Sequence, residues 1–85
     1  MPEERIGRVT EYFAKIGVAG IQLTDGSLRV GDTIHIKGHT TDFQQVVDSI
    51  QVEHQDVQEA GPGTLIGVKV RDRVREHDIV YKVVG

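Results

Sequence analysis

Valine and isoleucine together supply 21 of the 85 residues, against three leucines and three alanines. Side chains branched at Cβ fit a pleated sheet better than a helix, so the chain is expected to be all-β. Ten glycines, most of them set between alternating apolar residues, provide turns for several short strands. No cysteine is present, so neither a disulfide framework nor a thiolate metal site can hold the chain together. A domain of this size buries only about 60 to 65% of the surface its unfolded chain exposes. The expectation is therefore one simple core and a single domain over 1–85, with the polar residues 1–5 as a flexible N-terminus. The longest apolar run is a few residues, against the roughly 20 that span a bilayer, which points to a soluble, cytoplasmic protein.

Alternation of apolar and polar residues predicts the strands. Ile6 to Phe13 reads as the first, and Val18 to Thr24 as the second, with Ala19, Ile21 and Leu23 on one face. Asp25-Gly26 tolerates the positive φ of a tight turn and is expected to reverse the chain. Gly31-Asp32 makes a further turn before Thr33 to Lys37, where Ile34 and Ile36 point inward. Thr41 to Ala60 is ambiguous: Phe43, Val46, Val47, Ile50, His54 and Val57 fall at helical spacing, while Asp48, Ile50 and Val52 alternate as in a strand. Gly61-Pro62-Gly63 is a loop. Leu65 to Val70 and Ile79 to Val83 close the sequence as strands, joined by a polar connection from Arg71 to Asp78. No internal repeat or second domain is visible.

Residues that carry chemistry are scarce. The phosphate-cradling G-x-x-x-x-G-K-[ST] loop that a GTPase needs is absent from the sequence, as is G-x-G-x-x-G, which excludes nucleotide hydrolysis on sequence grounds. His35 and His39 stand roughly 13 Å apart along a strand, too far for one metal ion, and His54 and His77 each lie next to a glutamate that a strand would turn to the opposite face. All four histidines are expected as solvated surface, with no metal and no cofactor. Ser27 and Ser49 lack a nucleophile elbow, so no catalytic residue is assigned.

Charge is unevenly spread about a net of −3. Five acids and no lysine or arginine fall between Asp42 and Ala60, whereas Lys69, Arg71, Arg73 and Arg75 crowd into seven residues. With Lys37 and His39 these form the candidate surface for an RNA backbone or a partner, against the alternative of a solvated face balanced by Asp72, Glu76 and Asp78.

Three segments carry a family resemblance: Gly26-Ser27-Leu28-Arg29-Val30-Gly31-Asp32, Ser49-Ile50-Gln51, and Glu59-Ala60-Gly61-Pro62-Gly63 followed by Ile66-Gly67-Val68. Their order and spacing resemble the β-barrel second domain of elongation factor Tu and related translational GTPases. Tyr12 to Ala19, Ile36 to Phe43 and Val74 to Val83 are similar to small stand-alone translation-elongation-factor-like proteins. The resemblance implies a single closed six-stranded Greek-key barrel with residues 44 to 53 extended, and with Gly26, Gly31, Asp32, Pro62 and Gly63 as structural turn residues. It also implies a non-catalytic module that associates with RNA, a ribonucleoprotein or a translation partner. Two further readings are a protein-interaction adaptor without RNA contact and the accessory barrel of a peptidase-like enzyme, since a collagenase-like peptidase family carries a similar barrel.

Overall fold

A computed structural model describes residues 2–84, and among these there is no helix, hence none long and apolar enough to cross a membrane. Ten strands form: β1 (Glu3–Phe13), β2 (Val18–Leu23), β3 (Leu28–Arg29), β4 (Thr33–Lys37), β5 (Asp42–Val46), β6 (Ile50–Val52), β7 (Gln55–Val57), β8 (Glu59–Ala60), β9 (Leu65–Lys69) and β10 (Ile79–Val83). Eight of them make one antiparallel sheet in the order β5-β4-β10-β1-β2-β9-β6-β7, and β3 pairs separately with β8. The inward positions read from the alternation are buried: Ala19, Ile21 and Leu23 on β2, Ile34 and Ile36 on β4, Ile66 and Val68 on β9. They meet Ile6, Val9, Ile50 and Val80 in a single apolar core.

Three expectations are corrected. First, the ladder is not a closed ring of six strands: β5 and β7 are its two ends among the described residues. The reason lies in residues 42–52, which form two short strands separated at 47–49. β5 pairs with β4, while β6 pairs with β9 and β7. Where β5 approaches β9, the side chain of Gln45 stands in for a strand: its Nε2 donates to the Lys69 carbonyl at 2.8 Å and its Oε1 accepts from the Arg71 amide at 2.8 Å. The helical spacing within 41–60 belongs to no helix, because Glu53 and His54 both take positive φ (51° and 65°) and reverse the chain from β6 into β7, the geometry of a two-residue hairpin turn.

Second, residues 3–5 are not a loose terminus. Glu3, Glu4 and Arg5 pair with Val83, Lys82 and Tyr81 of β10; Met1 lies outside the described residues. Strand β1 serves β10 with its first half and β2 with its second, through irregularities between Arg5 and Gly7 and between Val9 and Glu11. Bulges of this kind bend a strand and increase its twist. Gly7 is required by proximity, since a Cβ there would lie 2.3 Å from the backbone oxygen of Gln22.

Third, Asp25-Gly26 is not a β2–β3 hairpin. Strand β3 pairs with β8, Gly26 is not among the positive-φ glycines, and a Cβ on it would meet Ile6 Cγ2 at 2.7 Å. Thr24 and Asp25 instead donate their amides to the Ile6 carbonyl. The Pro62-Gly63 turn is present, with Gly63 at φ 86° and its amide donating to the Leu23 carbonyl at 2.8 Å.

The Gly31-Asp32 turn has a twin that the sequence hides. In Arg29-Val30-Gly31-Asp32 the Asp32 amide donates to the Arg29 carbonyl at 3.1 Å and the Asp32 carboxylate accepts from the Arg29 amide at 2.9 Å, with Gly31 at φ 99°. Arg75-Glu76-His77-Asp78 repeats the same two hydrogen bonds at 3.1 and 2.9 Å, with His77 at φ 78° in place of the glycine. A side chain at that φ carries a backbone penalty that glycine avoids. Space does not decide the matter at Gly31, where a Cβ would meet nothing within 4 Å. The expected outcome in urea denaturation is opposite signs at equivalent positions: Gly31→Val loses about 1 to 3 kcal/mol, whereas His77→Gly gains up to about 1 kcal/mol.

Candidate functional site

Three surface features stand out, and only the first was anticipated. Lys37, His39, Lys69, Arg71, Arg73 and Arg75 all lie exposed at the surface. Lys69 ends β9, and the connection beyond it is held at Gln45 through the Arg71 amide. The Arg71 guanidinium then lies 5.9 Å from the centre of the Phe43 ring, within cation–π range. The connection ends at Asp78, a buried carboxylate that accepts from the Arg75 amide and sits where a side chain on Gly38 would be. The turn bearing Arg75 thus abuts the loop bearing Lys37 and His39. The fold brings the two halves of the cationic cluster to one edge, while Arg71 is already engaged by an aromatic ring.

The second feature is His35, whose side chain is only 14% exposed rather than solvated. Its Nδ1 lies 2.7 Å from Glu3 Oε2 and its Nε2 2.5 Å from Asp42 Oδ1, with the Tyr81 ring alongside. A ring that donates to both carboxylates at once is protonated on both nitrogens, so this pairing favours the imidazolium form. Asp42 is the main cause that raises the His35 pKa above its ordinary 6.5, opposed by partial burial and assisted by Glu3. The same hydrogen bond lowers the Asp42 pKa below its ordinary 3.8. The three residues lie on β4, β1 and β5, so their convergence has no signature in a linear reading. Because each ring nitrogen serves a different carboxylate, they do not converge on one point, and no group of three metal-ligating side chains is found among the described residues.

The third feature is an apolar groove of about 680 Å³ over the outer face of β1, β2, β9 and the β6–β7 hairpin. Gly20 and Gly67 face each other across β2 and β9 and keep its floor low, bordered by Thr10 and Val18. Phe13, Ile16 and Leu65 line it at 45%, 63% and 53% exposure, which makes three of the four exposed large hydrophobics among the described residues part of one surface. Its carboxylates are Glu11 and Glu53, His54 stands beside them, and no lysine or arginine lines it. The sequence held a signal for it: once Ala19, Ile21 and Leu23 are inward, Val18 and Gly20 must be outward, and likewise Leu65 and Gly67 beside Ile66 and Val68.

Comparison with known proteins places this architecture. The family described as elongation factor Tu domain 2 matches residues 17–79. The chain belongs to the elongation factor Tu domain 2 family. Within that family its similarity runs toward peptidases. This domain-2 chain is 47% identical over 77 residues to an uncharacterized protease of Methanocaldococcus jannaschii, covering 89% of this chain and 19% of that protein. It is 37% identical over 78 residues to a collagenase of Porphyromonas gingivalis, covering 91% of this chain and 22% of that protein. It spans about a fifth of the length of these curated relatives. The C-terminal domain of a putative U32 peptidase of Geobacillus thermoleovorans superimposes with a TM-score of 0.88 at 25% identity, covering 95% of this chain and 93% of that one. None of these three relatives carries a translation or RNA-binding name, so the expected stand-alone translation factor gains no support from them.

The His35 clip gives a pH dependence with a definite sign. A raised His35 pKa contributes stability that is fully present below about 6.5 and is lost as pH rises through the folded value; a lowered Asp42 pKa contributes stability present above about 3.8 and lost as pH falls through its folded value. The clip therefore acts most fully between these limits. Urea midpoints at pH 5.5 and 8.5 are expected to fall more for the wild type than for His35→Gln; equal falls would mean that the clip contributes nothing.

Proposed function

We propose that this chain is a non-catalytic binding domain that serves a U32-type peptidase unit. The observation that carries this reading is the two-way coverage with the C-terminal domain of the Geobacillus thermoleovorans putative U32 peptidase, nearly all of each chain matching the other. The curated protease and collagenase relatives contain this segment as about a fifth of their length. In this reading the bond-breaking residues reside in the remaining four fifths, and the barrel-type fold contributes a binding surface. Fold alone does not carry function, so the support comes from identity to named peptidases together with a groove of the kind that takes ligands.

The test is a domain exchange in the Porphyromonas gingivalis collagenase, comparing collagen cleavage by the intact enzyme, by a form lacking the matched segment, and by a form carrying this chain in its place. The exchanged form is expected to keep cleavage that the deletion loses, while this chain alone cleaves nothing. Cleavage by the isolated chain, or an exchange no better than the deletion, would overturn the proposal.

An RNA-binding reading has one specific observation in its favour, the exposed cations gathered along the β9–β10 connection. If it holds, Arg71→Glu with Arg73→Glu weakens binding to unrelated single strands and reduces the log–log salt slope by about 0.7 for each phosphate left without its cation. An unchanged slope in filter-binding titrations, or no binding by the wild type at low salt, removes that reading.

A further inference from the structure

We propose that the glycine-floored groove over β1, β2 and β9 holds an extended segment of a polypeptide in trans, one that presents a bulky apolar side chain next to a basic one. This rests on the binding-domain reading and names the site and ligand class for it. Among the described residues, three of the four exposed large hydrophobics stand around this groove. Scattered apolar residues on a surface need no explanation, but a contiguous patch on a small β protein does.

The floor determines how a ligand can enter. Strand β2 is paired on both sides, by β1 and β9, so a peptide lying over Gly20 meets no free edge of β2 and has to insert side chains rather than add to it as a strand. Gly20 and Gly67 lower the floor between Glu11, the cross-strand partner of Gly20, and Gln51, the partner of Gly67. A Cβ on Gly20 would stand 3.3 Å from Thr10 Oγ1 and one on Gly67 3.3 Å from Val18 Cγ1, so these two side chains border the low floor and an incoming side chain rests against them. Phe13, Ile16 and Leu65 give such a side chain apolar contact.

Charge selects the neighbouring residue of the ligand. Glu11 and Glu53 are the carboxylates of the lining, which has no lysine or arginine of its own, and neither forms an ion pair among the described residues. A cationic side chain complements them and an acidic one is repelled. The same feature disfavours a nucleic-acid backbone at this face. The volume suits a few side chains of an extended peptide, whereas a stable contact with a folded partner would bury about 1,200 to 2,000 Å².

The experiment uses the full chain and a fluorescently labelled, unstructured ten-residue peptide in which leucine or phenylalanine alternates with lysine. Two counterparts replace every lysine by glutamate or every apolar residue by serine. Fluorescence anisotropy is expected to give saturable binding of the first peptide at micromolar concentration, weakened about tenfold or more in either counterpart. Leu65→Ser with Phe13→Ser should weaken it by a similar factor, and Glu11→Lys with Glu53→Lys should transfer preference to the glutamate peptide. Val46→Ser, which removes an exposed large hydrophobic outside the groove, should leave binding unchanged. All these side chains are exposed, and matching thermal melts would establish that the variants are folded. Absence of saturable binding to the lysine peptide, or equal weakening in Val46→Ser and the Leu65/Phe13 variant, would overturn the groove assignment. The domain-exchange result stands independently, because a domain that docks its peptidase unit elsewhere would pass that test and fail this one.

Discussion

Val47 is fully buried, and its backbone is fastened on both sides to the turn before β4: its amide donates to the Asp32 carbonyl at 2.8 Å and its carbonyl accepts from the Gly31 amide at 2.9 Å. At this point the segment 42–52 stops following β4 and crosses to β9. Without the bend, one segment could not serve both ends of the sheet, and the apolar faces of β4 and β9 would not close over the same core. The left-handed Gly31 is part of that fastening, which links a local backbone requirement to the global closure of the fold. The Gln45 amide completes the junction with two hydrogen bonds to the chain leaving β9. Buried or half-buried backbone groups need partners, and here a side chain supplies what a ladder cannot.

That closure also separates the surface chemically. The cations of the β9–β10 connection pass along β5 and reach the Gly38 loop, on the edge where the sheet is joined by side chains. The apolar groove lies over β1, β2 and β9, with β2 paired on both sides. The central strand of that floor has its hydrogen-bonding groups satisfied, so over it a ligand is discriminated by shape, apolar contact and charge. The cationic edge has hydrated side chains and one arginine committed to Phe43. The two surfaces are therefore suited to different ligands, and the peptidase relatives give weight to the groove proposed for peptide.

The His35 clip illustrates how polar contacts supplement so small a core. It ties β1, β4 and β5 together on the outside of the sheet, with β10 between β1 and β4. Its two carboxylates come from the N-terminal strand and the strand before the Val47 bend. Glu3 takes part, so the first residues of β1 are held by a side chain as well as by their pairing to β10.

Much of the fold was legible in the residues themselves. The excess of β-branched side chains set the all-β class, and alternation placed Ile21, Ile34, Ile36, Ile66 and Val68 inward, because a strand's period of two is a local property. Gly31-Asp32 and Pro62-Gly63 were readable as turns for the same reason. Local sequence could not choose between helix and strand for 41–60, since Phe43, Val46, Val47 and Ile50 suit a helix while Asp48, Ile50 and Val52 suit a strand; the pairing of β5 with β4 and of β6 with β9 made that choice. Nor could it show that His77 occupies the place of a turn glycine, that Gly26 is small to make room for Ile6, or that Glu3, His35 and Asp42 meet. The groove was half legible: alternation leaves Gly20 and Gly67 outward, but only the register of β2 on β9 sets them opposite each other. Strand period is fixed by the backbone of each segment, whereas register, closure and the meeting of distant side chains depend on which strands pair, and that is decided by the chain as a whole.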